Sequence, residues 1–173
     1  MGYMTGGFIF KKMASMPDEE VLDLLDSVAL KYSGDISLEE ATSGSFHGIA
    51  LARIEQVLFV LGKDGALSSS FGEKGMSRLD QRLEIKSRQG DILCFLINSV
   101  SDTYAWSIFR KGEMIHAKSS AGGKLISEVG ATSEYEKGVE LNEDGVITLI
   151  ENFGGHGFFE LVFEKNIRAR VYL

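Results

Sequence analysis

The spacing of apolar side chains changes period along the chain. Residues 7–12 (GFIFKK) suit a short first strand. Val21, Leu22, Leu24, Leu25, Val28, Ala29 and Tyr32 then fall on one face at helical spacing. Ser15 is a suitable N-cap for this helix and Pro17 suits its first turn. Asp18, Glu19 and Glu20 complement the positive end of its dipole, and Gly34 follows as a stop.

Beyond it the period becomes two. Phe46–Arg53 and Gln56–Gly62 read as neighbouring strands. The second, with Val57-Leu58-Phe59-Val60-Leu61, is apolar on both faces and is expected near the sheet centre. Asp64-Gly65 signals a tight turn returning the chain along Ala66–Phe71. Met76, Leu79 and Leu83 suit one side of a helix within 74–88, and Ile92–Asn98 is a second buried strand.

Tyr104–Arg110 and Glu113–Lys118 form a hairpin around Lys111-Gly112. A two-residue loop pairs Phe109 with Met114, Ile108 with Ile115, Ser107 with His116 and Trp106 with Ala117. That register places Trp106 in the core and His116 on the opposite face. Residues 120–141 read as irregular. Asn142 caps a second helix bearing Val146, Leu149, Ile150 and Phe153, with Gly154 as its stop. Residues 158–165 read as a helical turn or a strand. In Ile167–Leu173 the odd positions face inward, while Arg168, Arg170 and Tyr172 face out; a third possibility is a homo-oligomer held by an exposed sheet edge, which these residues would blunt or pair across.

Helices near both ends with sequential strands between them predict an α+β fold. The expected form is a mostly antiparallel sheet covered on one face by two or three helices, in a single domain over residues 1–173. Regular β-α-β alternation is absent, which argues against a doubly wound parallel sheet.

Composition narrows the function classes. Eighteen basic and 25 acidic residues give a net charge of −7, with 44% hydrophobic residues among 173. That is too apolar for a disordered chain. The longest apolar run, Ile92–Ile97, is far short of the roughly 20 residues a spanning helix needs. No secretory leader is read, so the expected location is the cytoplasm. Cys94 is the single cysteine, which rules out an internal disulfide and a cysteine zinc site; it is expected to be a small buried hydrophobe.

Candidate chemistry is sparse. Ala121-Gly122-Gly123-Lys124 lacks the first glycine of a phosphate loop and has Leu125 where Ser or Thr would hold magnesium. Gly72-Glu73-Lys74-Gly75 fails similarly, and Ser43-Gly44-Ser45 is no nucleophile elbow. His47, His116 and His156 lack metal-ligand spacing, so no metal and no cofactor is implied. Gly154-Gly155-His156-Gly157 leaves a histidine ring accessible, and Glu160 is the acid placed to tune it. His156 and Glu160 are therefore the candidate catalytic pair.

Lys74, Arg78, Arg82 and Lys86 recur every fourth residue, one basic stripe on a helix and a candidate docking surface for an acidic partner. Acidic clusters at Asp18, Glu19, Glu20, Asp23 and Asp26, and at Glu134, Glu136, Glu140, Glu143 and Asp144, give the chain its overall sign. That sign argues against nucleic acid and membrane surfaces. The expected function is a non-enzymatic protein-interaction module with an acidic surface, whose partner is basic, such as a toxin to be neutralised. The alternative is a small enzyme or ligand-binding protein with a site assembled around His156.

Overall fold

A computed structural model describes residues 4–43, 46–62, 71, 75–158 and 160–173. The expected turn at Asp64-Gly65, all of the return strand expected over Ala66–Phe71 except Phe71, Lys74 and most of the two glycine loops near 44 and 72 lie outside the described residues.

The strands are β1 (Met4–Lys11), β2 (Tyr32–Ser37), β3 (Ile49–Ile54), β4 (Val57–Gly62), β5 (Ile92–Asn98), β6 (Thr103–Arg110), β7 (Glu113–Ala121), β8 (Lys124–Gly130) and β9 (Arg168–Tyr172). They form one sheet in the order β2-β9-β3-β4-β1-β5-β6-β7-β8. Every neighbouring pair is antiparallel. The helices are α1 (Asp18–Leu24), α2 (Leu38–Thr42), α3 (Arg78–Lys86) and α4 (Glu143–Gly154), joined by a 3-10 turn at Glu134–Glu136 and a π-helical turn at Glu160–Glu164. The fold is α+β, as expected. Among the described residues no helix is long and apolar enough to cross a membrane.

The expected cover on one face alone is not what the packing shows. Alternate residues of the central strands enter two separate clusters. Ile9, Phe59, Leu93, Phe95 and Trp106 pack with α2, α4 and the π-helical turn. Phe8, Phe10, Leu58, Val60 and Cys94 pack with α1 and α3. The strands declare this themselves: 57–61 and 92–97 are apolar at successive positions, so neither face is suited to water. Each fully buried side chain such as Phe8 or Phe10 contributes about 1.5–3 kcal/mol.

Local signals explain most boundaries. Ser77 and Asp80 form a capping box at α3, and Asn142 Oδ1 accepts from the Gly145 N–H at 2.8 Å at α4. Gly155, rather than Gly154, takes the left-handed cap at φ 75°. Helix α1 is shorter than its apolar face. Asp26 turns left-handed at φ 54°, and the Ser27 N–H closes on the Leu22 carbonyl at 2.7 Å. Val28 is thereby left exposed, and Tyr32 opens β2.

Strands β7, β8 and β9 differ from expectation. The β6–β7 pairing shifts between Ile108 and Phe109, so Ile108 faces His116 and Trp106 faces Lys118. Ile115 is the extra residue of this bulge, and it turns His116 to the Trp106 side. The segment 120–141, expected to be irregular, contains the end of β7 and all of β8. Strand β9 is not an edge, because it lies between β2 and β3; among the described residues the edges are β2 and β8.

Candidate functional site

His156 follows the α4 cap and lines a cleft of about 370 Å3 with Lys11, Lys12, Glu55 and Gln56. Its side chain is 16% exposed, with Nε2 at 3.6 Å from Glu55 Oε2. The acid facing His156 is thus Glu55, from the β3–β4 turn, and not Glu160. Glu160 instead pairs with Lys165 at 2.9 Å. The π-helical turn carries its carboxylate to that lysine, a geometry that spacing along the chain does not reveal.

The basic stripe lies on α3 as expected for Arg78, Arg82 and Lys86, while Lys74 is outside the described residues. Its charges are answered within the chain. Helix α1 lies alongside α3. Arg82 reaches Asp23 at 3.0 Å and Asp26 at 2.7 Å, and Lys86 pairs with Glu20. Arg78 stands 4.0 Å from Asp26. The acidic surface that complements the stripe is the first acidic cluster of the same protein. These contacts bind helix to helix, and a shallow depression of about 330 Å3 lies between them, lined by Glu20, Asp23, Arg82 and Lys86.

Two buried polar clusters escaped the sequence. Asp18 is 5% exposed and sits among three donors. Arg53 pairs with Oδ1 at 2.5 Å, while Arg170 at 2.7 Å and the donating Tyr172 hydroxyl share Oδ2. Burial pushes the Asp18 carboxyl up, but the Tyr172 hydrogen bond and the Arg53 and Arg170 charges outweigh it and hold it below its usual value. Burial and the bond to Asp18 push Tyr172 up to about 12. Arg53 also donates to the carbonyls of Ala14 and Met16, tying β3 to the segment leading into α1. The signal for this cluster was a lone arginine closing the apolar run Ile49–Ala52.

The second cluster is built on Glu136. Its Oε1 accepts from Trp106 Nε1–H at 2.6 Å and meets His116 Nδ1. Its Oε2 accepts from the Ser133 N–H at 2.6 Å and the Ser133 hydroxyl at 2.9 Å. Nε2 of His116 lies 3.5 Å from Glu128, which Lys118 holds at 3.0 Å. The bulge at Ile115 makes this network possible, and no local pattern announces a bulge. Every group is partnered, so the cluster fixes the 3-10 turn against the sheet.

The outermost strand has a different character. In β8, Leu125 is 56%, Ile126 54% and Val129 44% exposed. Among the described residues it pairs with β7 alone, and Ile126 is left unmatched where the register shifts. Edge strands are normally blunted by charge or proline. Here the only charged side chains are Lys124 and Glu128. Residues 131–144, which follow this strand, carry five carboxylates against one lysine; Glu134 is paired with Arg110 and Glu136 is buried.

No group of three or more His, Cys, Asp or Glu side chains suited to a metal occurs among the described residues. Comparison with known proteins finds no family model that matches the chain, and no curated protein or solved structure that matches it.

Proposed function

We propose that this chain is a non-enzymatic protein-interaction module that receives an extended, basic segment of its partner along β8. The observation that carries the reading is the open edge itself, with three exposed apolar side chains in seven residues. Main-chain hydrogen bonds to an added strand satisfy the outward amides and carbonyls of β8. Side chains on both faces of that strand meet apolar groups, Leu125 on one and Val129 on the other. Glu140, Glu143 and Asp144, the carboxylates after β8 that no cation of the described residues pairs with, favour lysine or arginine at the alternate positions. The bulge at Ile126 limits indiscriminate pairing and favours a strand that fits the shifted register.

A short fluorescein-labelled peptide of alternating valine and lysine tests this by anisotropy. Binding to the native chain, weakened about tenfold or more by Val129→Asp or Leu125→Asp, supports the reading. A peptide with glutamate in place of lysine should bind poorly. Equal binding of both peptides, or binding untouched by either substitution, contradicts it.

A second reading, a small ligand-binding protein or enzyme with its site around His156, is favoured by the convergence of His156 with Lys11 and Lys12 on one cleft. In that case His156→Ala lowers an identified activity more than it lowers the melting temperature. The reverse outcome removes this reading.

A further inference from the structure

We infer that the groove where the end of β1, the α3–β5 connection and the β6–β7 turn meet is a binding site for the phosphoryl group of a small phosphorylated ligand. The inference does not depend on β8, no residue of which lines the groove. The groove measures about 260 Å3, and four cations line it: Lys11, Lys12, Arg88 and Lys111. Its one carboxylate, Asp91, is already engaged by Arg110 at 2.9 Å and by the Tyr135 hydroxyl at 3.0 Å.

The cations themselves are not answered. Among the described residues, Lys12, Arg88 and Lys111 have no carboxylate within ion-pair distance. Lys11 Nζ meets the Tyr135 hydroxyl at 3.3 Å, lies 4.8 and 5.5 Å from the Tyr135 and Phe153 ring centroids, and feels the Glu134 carboxylate at longer range. In a chain of net charge −7, four cations gather at one groove, Lys12, Arg88 and Lys111 of them exposed and free to turn onto an anion bound there. The negative end of α3 does not account for them. A helix C-terminus attracts cations to its last turn, and Lys86 holds that place while pairing with Glu20.

The groove is also held in shape before any ligand arrives. Gly90 lets the chain pass against β1, since a Cβ there would stand 2.1 Å from the Lys11 carbonyl oxygen. The Lys11 N–H donates to the Asp91 carbonyl at 3.0 Å, and the Lys111 N–H to the Ser87 carbonyl at 3.2 Å. Gly112 N–H donates to Ser87 Oγ at 2.9 Å. Lys12 and Lys111 both hold left-handed backbone, at φ 60° and 53°, which a lysine adopts only when its surroundings impose it. Several cations around a small volume suit a group with close to two negative charges and three acceptor oxygens, which describes a phosphate ester better than a carboxylate. The size admits a small molecule, and the overall charge opposes a long polyanion.

Calorimetric titration of the purified chain with inorganic pyrophosphate and with ADP tests the assignment, against chloride at matched ionic strength. Saturable binding is expected, with Lys12→Ala and Lys111→Ala each weakening it about tenfold. His156→Ala in the neighbouring cleft and Lys124→Ala on β8 should change it by less than about twofold. Tighter binding of ADP assigns a nucleotide, and equal binding assigns the phosphoryl group alone; both uphold the site. No binding by the native chain overturns it. So does an effect reproduced by chloride, or a loss as large from His156→Ala or Lys124→Ala.

Discussion

Replacing Asp18 probes the interior electrostatics most sharply, because one buried carboxylate holds Arg53, Arg170 and Tyr172 together. Asp18→Ala leaves two guanidiniums and a hydroxyl facing a cavity. Breaking a fully buried charge set costs about 3–5 kcal/mol. The Arg53 and Arg170 side chains are 30% and 51% exposed, so water recovers part of their charge. The expected loss is therefore about 2–3 kcal/mol. For a chain of this size that lowers the melting temperature by about 5–10 °C. Asp18→Asn keeps the acceptor without the charge and should lose about 1–2 kcal/mol. Urea denaturation followed by the fluorescence of Trp106, the single tryptophan, measures both. The sign with pH is fixed. Because the folded carboxyl titrates below its ordinary value of 3.8, its contribution is complete above that pH and fades as pH falls through the folded value. The deficit of Asp18→Asn relative to the native chain should thus be constant from pH 7 to 5 and shrink below about 4. A loss under about 0.5 kcal/mol for Asp18→Ala, or a deficit that grows on acidification, refutes the reasoning.

Three further substitutions separate buried from exposed charge and test the close packing of β1. Glu136→Ala strips the partner from Trp106 Nε1 and His116 Nδ1 and should destabilise by about 2–4 kcal/mol in thermal unfolding followed by circular dichroism, with a changed tryptophan emission. Arg82→Ala breaks pairs with carboxylates that are 72% and 61% exposed, so a loss below about 1 kcal/mol is expected, smaller still in high salt. Gly90→Ala drives a methyl group into the Lys11 carbonyl and should cost about 1–3 kcal/mol in the same unfolding assay, weakening pyrophosphate binding with it.

The elements with a continuous apolar signal were legible in the sequence. Strands β4, β5 and β6, the α4 cap at Asn142 and the burial of Cys94 all follow from residues next to one another. The doubled cover of the sheet was implicit in the same runs. If both neighbours of Phe59 and Phe95 are apolar, a second layer must exist. Strand β8 was missed because an edge strand needs no alternation; its one signal was Gly122-Gly123, whose φ values of 56° and 71° make the tight hairpin turn. Tyr172 was assigned to solvent on parity, yet the second apolar face and Asp18 enclose it. The grouping of Lys11, Lys12, Arg88 and Lys111 spans most of the sheet's sequence length, and only the strand order brings the four together.

The claim on which the functional account rests is that β8 is the working edge of the sheet. Hydrogen–deuterium exchange of the native chain, alone and with the valine–lysine peptide, tests it at the level of single amides. The account predicts that protection rises along Lys124–Gly130 when the peptide is added, while β2 at the other edge is unchanged. Protection gained at β2 instead, or at neither strand, would contradict it.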